Sequence, residues 1–259
     1  MDKFGIIGNP VAGSMSPRLF AAAYGGRWPY ELIEGADFDA SWGRFLREYK
    51  GINITAPFKE DAFRAADRVA PAARRIGAVN LAVKTPRGVE AYNTDYEGVR
   101  LALAEAGTAA AKTALVVGCG GAGRAAAAAA VDAGMQLVLQ NRTRNRAEVL
   151  AEVFGGSVED DLRTAVRAAD VIIYTIPQPT DALLDLQEAD FAPAEGRPGK
   201  VVLEANYKNP AFPGVLLERL ERAGGRYVPG RRWLLYQAVA GYALFTGVEP
   251  DKEKIMNAL

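Results

Sequence analysis

Few side chains in this sequence can move a proton near neutral pH. Among its 259 residues there is no histidine and one cysteine, Cys119. A serine or cysteine nucleophile activated by histidine is therefore ruled out. A histidine-bound zinc is ruled out too, since one cysteine cannot replace the missing ligands, and no metal site is expected. Proton transfer is left to Lys, Tyr, Asp, Glu, Cys or water. Two positions in the N-terminal half stand out. Lys59 falls in the first turn of a helix opened by Pro57, where the helix dipole disfavours a cation. Asp95 follows Asn93-Thr94 at another helix start. Each also has an ordinary explanation. Lys59 can be a surface lysine balanced by Glu60 and Asp61, and Asp95 a stabilising first-turn carboxylate. Sequence spacing alone does not pair them.

A second group of residues points to a dinucleotide. Gly118-Cys-Gly-Gly-Ala-Gly123 is a complete G-x-G-x-x-G between an expected strand and an expected helix, the context the motif requires. Gly118 permits the tight turn, Gly120 lets the backbone approach a pyrophosphate, and Gly123 lets the helix pack on the strand. Gly121 and Ala122 complete the loop, whose N–H groups and helix N-terminus favour phosphate. Cys119 occupies a variable position of the motif. The following strand ends in Asn141-Arg142-Thr143-Arg144-Asn145-Arg146, with no acidic residue to accept from a ribose 2′-hydroxyl. Thr143 is a natural N-cap, so these arginines crowd a helix start against its dipole. A bound dianion resolves that conflict, which implies an adenosine 2′-phosphate and NADP(H) rather than NAD(H). Arg144 alone could be a solvated helix end; the cluster is harder to explain that way. None of the ten tyrosines has a lysine four residues later, so a Tyr-x-x-x-Lys proton donor is absent.

The elements that must position these residues alternate between strand and helix, which implies a largely parallel α/β sheet. Strands are expected at 3–8, 51–55, 78–84 and 89–92. Helices are expected from Ser16 as N-cap with Pro17 at the first helical position, from Pro57 to about residue 70, and over 94–106. A glycine, a threonine and an alanine run at 107–111 mark a domain junction. A βαβ unit follows: strand 113–117, the glycine loop, helix 124–133 and strand 136–140. Further strands are expected at 171–176 and 200–204. The C-terminal stretch reads as two helices broken at 247–250. The domain expectation is thus residues 1–105, then 106–230, then C-terminal helices 231–259 returning to the first domain.

Composition bounds the partners. Lys+Arg and Asp+Glu both number 31, so formal net charge is zero. That offers neither a basic nucleic-acid footprint nor a polybasic membrane anchor. The apolar runs are too short to span a bilayer, and the N-terminus shows no apolar leader. A single cysteine fits a reducing cytoplasm.

Taken together, the motifs resemble those of the shikimate dehydrogenase family, nearly end to end. Gly8-Asn-Pro-Val-Ala-Gly-Ser14-Met-Ser16-Pro17 is similar to the family's substrate-carboxylate loop. Asn53-Ile-Thr55-Ala-Pro57-Phe-Lys59-Glu60 is similar to its catalytic-lysine motif. Ile76-Gly-Ala-Val-Asn80, Tyr92-Asn-Thr-Asp95, the glycine loop, Asn141-Arg-Thr, Asn206-Tyr207 and Leu235-Tyr-Gln237-Ala238 follow in family order. The resemblance implies two α/β domains with a cleft between them, a substrate domain and a Rossmann-like NADP-binding domain. It implies reversible, NADPH-dependent reduction of 3-dehydroshikimate to shikimate, a step of aromatic amino-acid biosynthesis. Ser14 and Ser16 would bond the substrate carboxylate. Thr55, Asn80, Asp95 and Gln237 would bond ring hydroxyls, with Tyr207 nearby. Lys59 and Asp95 would flank the reacting hydroxyl, Lys59 as acid in reduction or base in oxidation. Asn141, Arg142, Thr143 and Arg146 would serve the cofactor. The implied partner is a small molecule, and the implied assembly a monomer or homodimer. Two positions depart from the family pattern: Phe58 and Gly13 stand where the family usually or often has histidine. The rival readings are a quinate or quinate/shikimate dehydrogenase, another lysine-dependent NADP enzyme such as methylenetetrahydrofolate dehydrogenase, and a catalytically silent NADP-binding regulator on the same fold.

Overall fold

Short runs of β-branched and aliphatic residues buried along their whole length are strands covered on both faces. Phe4–Gly8, Thr113–Val117, Val171–Tyr174 and Val201–Glu204 all have this pattern. The computed structural model describes all residues, 1–259, and they form two compact units. Unit 1 comprises Met1–Gly98 and Leu235–Leu259; unit 2 comprises Val99–Leu234.

Unit 1 contains β1 (Phe4–Gly8), α1 (Ser16–Tyr24), β2 (Tyr30–Glu34), α2 (Phe38–Glu48), β3 (Gly51–Ile54), α3 (Lys59–Ala65), β4 (Arg68–Val69), α4 (Pro71–Ile76), β5 (Leu81–Thr85) and β6 (Gly88–Tyr92), and the chain leaves it through α5 (Thr94–Glu105). The sheet order is β2-β1-β3-β5-β6-β4. β2, β1 and β3 are parallel, whereas β5 runs antiparallel to both β3 and β6. The sheet is therefore mixed rather than largely parallel. The reason is local: Pro86-Arg-Gly88 turns the chain straight back, and a tight hairpin can only join antiparallel strands. One face packs Ile7, Ile33, Trp42, Phe45, Ile52, Ile54 and Phe58 into a core. Phe4, Phe20, Tyr242 and Phe245 form a second, aromatic cluster, with ring centroids 5.0–6.4 Å apart.

Two sequence expectations change here. The helix expected from Pro57 to about residue 70 is broken at Ala66, which is extended. The Asp67 carboxylate accepts from Val89 N–H at 2.7 Å, and Arg68–Val69 then pairs with β6 before Pro71 starts α4. Ser16 is not an N-cap: Met15 holds that position without a side-chain cap, and Ser16 is already helical.

Unit 2 contains β7 (Thr113–Val117), α6 (Gly121–Asp132), β8 (Gln136–Gln140), α7 (Arg144–Phe154), β9 (Ser157–Val158), α8 (Leu162–Ala168), β10 (Val171–Tyr174), α9 (Asp181–Leu184), β11 (Val201–Glu204), α10 (Gly214–Arg222) and β12 (Arg226–Val228). The sheet order is β12-β11-β10-β7-β8-β9, parallel throughout. Renumbered within the unit this is 3-2-1-4-5-6 read from β9, the doubly wound dinucleotide-binding order, with its switch point between β7 and β10. Helix α6 begins at Gly121, inside the glycine loop and earlier than expected. Its six consecutive alanines, Ala125–Ala130, are all buried. Small side chains there let the helix approach the sheet closely. The chain ends in α11 (Gly230–Thr246) and α12 (Lys252–Ala258); α12 docks in unit 1, where Asp251 N–H donates to the Ala23 carbonyl at 3.2 Å. No helix is long and apolar enough to cross a membrane.

Candidate active site

In unit 1 the chemistry-bearing residues gather at the carboxyl ends of β1 and β3 and at the start of α5. Lys59 is the first residue of α3, which follows β3; Asp95 is the second residue of α5, which follows β6. Thirty-six positions apart, they meet: Lys59 Nζ lies 2.6 Å from Asp95 Oδ2. Backbone bonds fix both ends of this pair. Val79 N–H donates to the Lys59 carbonyl at 3.1 Å, and Asp95 N–H donates to Asn93 Oδ1 at 3.1 Å. Asn93 is itself buried and donates to the Ala78 carbonyl at 3.0 Å. The pair is partly buried, 24% and 16% exposed at the side chains, and so open to a ligand. Asp95 takes one of the three N–H donors of Lys59, and no other protein group takes the remaining two.

Asn80, Thr94 and Gln237 form an adjoining polar chain. Asn80 Oδ1 accepts from Thr94 N–H at 2.7 Å and from the Thr94 hydroxyl at 3.2 Å. The same hydroxyl lies 3.3 Å from Gln237 Oε1, and the Gln237 NH2 has no protein partner. Thr94 thus links Asn80 to Gln237, a position that motif reading left without a role; the signal was its place between Asn93 and Asp95. The Thr55 backbone is pinned by its own N–H to the Ile7 carbonyl, 3.0 Å, while its hydroxyl bonds no protein group.

The serine loop runs from β1 to α1. Ser14 N–H donates to the Val11 carbonyl at 2.8 Å, closing a turn. Ser14 Oγ accepts from Ser16 N–H at 3.2 Å and lies 3.1 Å from Ser16 Oγ. The two hydroxyls therefore sit side by side, as two donors for one carboxylate require. Beneath them Tyr30 donates to Asn53 Oδ1 at 2.7 Å, and Tyr242 donates to the Ser16 carbonyl at 3.2 Å. Burial pushes the Tyr30 phenol well above its ordinary range, the nearby Tyr242 adding to the effect. Phe58 points away from these groups into the core, its ring 5.7 Å from that of Phe38. The departure from histidine at that position is a core substitution.

In unit 2 the glycine loop lies at the switch point. Gly118 has φ +95°, a conformation open to glycine and few others. A Cβ on Gly123 would lie 1.9 Å from the Gly118 carbonyl oxygen, so a side chain there is impossible without moving the loop. A Cβ on Gly120 would meet nothing within 4 Å. That open approach, in front of the N-terminus of α6, fits a pyrophosphate. Asn141 holds the loop: its Oδ1 accepts from Cys119 N–H at 3.1 Å, and its Nδ2 donates to the Thr143 carbonyl at 2.8 Å. The Cys119 thiol is buried, which pushes its pKa up to about 11 and leaves it inert as a nucleophile. Thr143 is the N-cap of α7, without a side-chain cap bond. Of the three arginines, Arg144 is already neutralised by Glu148, at 2.8 Å, and by Asp160. Arg142 and Arg146 are exposed and have no ion-pair partner. Tyr207 follows β11, half-buried, with burial raising its phenol pKa. Glu204 and Asn206 fix its loop through Ala211 N–H, at 2.5 Å, and the Pro177 carbonyl, at 2.7 Å.

A doubly wound sheet, a glycine loop at its switch point and unpaired arginines after the second strand define a dinucleotide-binding α/β protein. Comparison with known proteins narrows this. A family model described as "Shikimate dehydrogenase substrate binding domain" matches residues 6–82, and one described as "Shikimate / quinate 5-dehydrogenase" matches residues 100–195. A curated protein from Halorubrum lacusprofundi, named shikimate dehydrogenase (NADP(+)), is 37% identical over 100% of this chain and 98% of its own length. The crystal structure of shikimate 5-dehydrogenase from Thermus thermophilus in complex with NADP(H) and shikimate superposes with a TM-score of 0.85 at 31% identity, covering 100% of this chain and 98% of that one. Quinate dehydrogenase from Corynebacterium glutamicum in complex with NAD gives 0.86 at 26% identity, covering 99% and 98%. The chain belongs to the shikimate dehydrogenase family.

Proposed function

We propose that this protein is an NADP-dependent oxidoreductase that interconverts 3-dehydroshikimate and shikimate. The observation that carries the reading is the Lys59–Asp95 pair, with two lysine N–H donors left for a ligand. Bound NADPH supplies the hydride. As hydride reaches the ring ketone, negative charge develops on its oxygen, and the Lys59 ammonium beside that oxygen stabilises the charge and donates a proton. Asp95 orients the lysine and accepts from a ring hydroxyl. In the reverse direction Lys59 withdraws the hydroxyl proton. Ser14 and Ser16 bind the carboxylate; Thr55, Asn80 and Gln237 bind ring hydroxyls through groups that the protein leaves open. A site built to bond hydroxyls strongly rejects analogues that lack them. Tyr207 belongs to unit 2, and its substrate role rests on the family resemblance alone.

Unit 1 is assigned to the substrate and unit 2 to the cofactor. Gly118, Gly120, Gly121, Ala122 and Gly123 cradle the pyrophosphate. Arg142, Thr143 and Arg146 hold the 2′-phosphate, with Asn141 keeping loop and strand end together. The single cysteine supports a reducing cytoplasm as the site of action. The likeness to an NAD-bound quinate dehydrogenase keeps a broader substrate range as the second reading; the unpaired arginines favour NADP. Retention of both Lys59 and Asp95 speaks against a silent regulator.

Replacement Lys59→Ala tests the reading. Turnover should fall by about 10²–10⁴-fold, the usual contribution of a positioned acid–base, with shikimate affinity within a few-fold of wild type. Equal losses of turnover and affinity, or no loss, would count against a chemical role.

A further inference from the structure

Between Gly8 and Ser16 the serine loop carries no regular structure, yet it brings the Ser14 hydroxyl beside that of Ser16, the first residue of α1. Its internal bonds, the Ser14–Val11 turn and the Ser14–Ser16 contacts, do not tie it to the sheet, and Asn9 N–H, bonded to the Ala56 carbonyl at 3.0 Å, holds only its start, ahead of the turn. Glu34 ties the turn itself to the sheet. It ends β2, the neighbour of β1 in parallel register, with Gly8 opposite it. Its Oε2 accepts from both Val11 N–H and Ala12 N–H at 3.0 Å. One carboxylate oxygen therefore satisfies two successive backbone donors from 22 and 23 residues away. At the other end of the loop Tyr242, on α11, donates to the Ser16 carbonyl.

We propose that Glu34 is a positioning residue for substrate-carboxylate recognition. It sets the turn that presents Ser14 and Ser16, and it does so without touching substrate. The proposal rests on the reading above that these serines bind the carboxylate. Charge-assisted bonds to backbone N–H groups are roughly twice as strong as neutral ones, so their loss frees the turn. The charge itself is not needed. An amide oxygen at the same place accepts the same bonds more weakly, whereas a methyl accepts none.

The test compares wild type, Glu34→Ala and Glu34→Gln by amide hydrogen exchange of the free protein and by steady-state kinetics with shikimate and NADP. For Glu34→Ala we expect faster exchange confined to residues 11–16 and a KM for shikimate raised about tenfold, the scale of one net hydrogen bond, since Glu34 is solvent-exposed. The KM for NADP and kcat should stay within about twofold, and Glu34→Gln should recover most of the shikimate KM. Unchanged exchange over 11–16 overturns the proposal. So does faster exchange with an unchanged shikimate KM, or a loss in kcat and both KM values alike. If wild-type protein neither binds nor oxidises shikimate, the functional reading fails, and the exchange result alone then decides whether Glu34 shapes this loop.

Discussion

Lys59 and Asp95 illustrate what a residue's type reveals and what it hides. That one lysine among many matters could be argued from its place at a helix start, against the dipole. That its partner is Asp95 could not, because the contact depends on β3 and β6 both lying against β5. The arginines after β8 behave the other way. Their crowding at one helix start was legible, but their division of labour was not. Arg144 is neutralised within the protein, and Arg142 and Arg146 are left open. Steady-state kinetics with both cofactors separates the three. Arg142→Ala and Arg146→Ala should each raise the KM for NADP about tenfold while leaving that for NAD within twofold, as loss of a charge-assisted phosphate contact would. Arg144→Ala should change the NADP KM less than about threefold, since an exposed pair with its own carboxylates contributes little elsewhere. An Arg144 effect larger than those of its neighbours would reassign the pocket.

Among the elements, β7, the glycine loop and β8 stood where hydrophobic runs and glycine placed them, because a buried parallel strand is a continuous apolar run that needs no partner to be recognised. The β2–α2 segment was not legible. β2 is an edge strand with only Ile33 buried, so neither alternation nor an apolar run marks it. Helix α2 shows Phe38, Trp42 and Phe45 at helical spacing behind an Asp37 cap, a signal that carries no chemistry. Yet this segment supplies Glu34, so the residue proposed to position the serine loop lay where no motif pointed. The split of α3 from α4 escaped for a different reason. It is imposed by Asp67 bonding to β6, a tertiary contact that local helix propensity cannot register. The glycines of the loop can be separated experimentally. Gly123→Ala should lower stability by about 3 kcal/mol or more, because its Cβ would overlap the Gly118 carbonyl. Gly120→Ala should leave the thermal midpoint within about 3 °C, equivalent to less than about 1 kcal/mol here, while abolishing tight NADPH binding. Melting curves with and without NADPH distinguish them. Equal destabilisation by both would mean that Gly120 serves packing rather than phosphate.

The molecule as a whole carries balanced charge, so its pH dependence comes from particular buried groups rather than from net repulsion. Asp170 is the clearest. Burial pushes its carboxyl up, but the Arg197 guanidinium and the N–H groups of Lys112 and Thr113 outweigh that, and its pKa lies below the ordinary value. A carboxylate depressed in the folded state stabilises the protein above the unfolded pKa, about 4, and loses that contribution as pH falls through the folded value. Asp170→Asn should therefore cost about 1–3 kcal/mol at pH 7. The difference from wild type in denaturant unfolding should narrow as the pH falls below about 4. A difference independent of pH would assign the loss to packing alone.

Absorbance of the reduced nicotinamide, with shikimate and quinate each crossed with NADP and NAD, reads the proposed reaction itself. Fast turnover is expected with shikimate and NADP, at least about tenfold slower turnover with NAD, which lacks the charge-assisted 2′-phosphate contact, and slower turnover with quinate, whose extra hydroxyl crowds the carbon that bears the carboxylate. Comparable turnover with quinate or NAD would move the protein to the broader branch of its family. Silence in all four combinations, with NADPH still bound, would contradict the enzymatic assignment while leaving the fold in place.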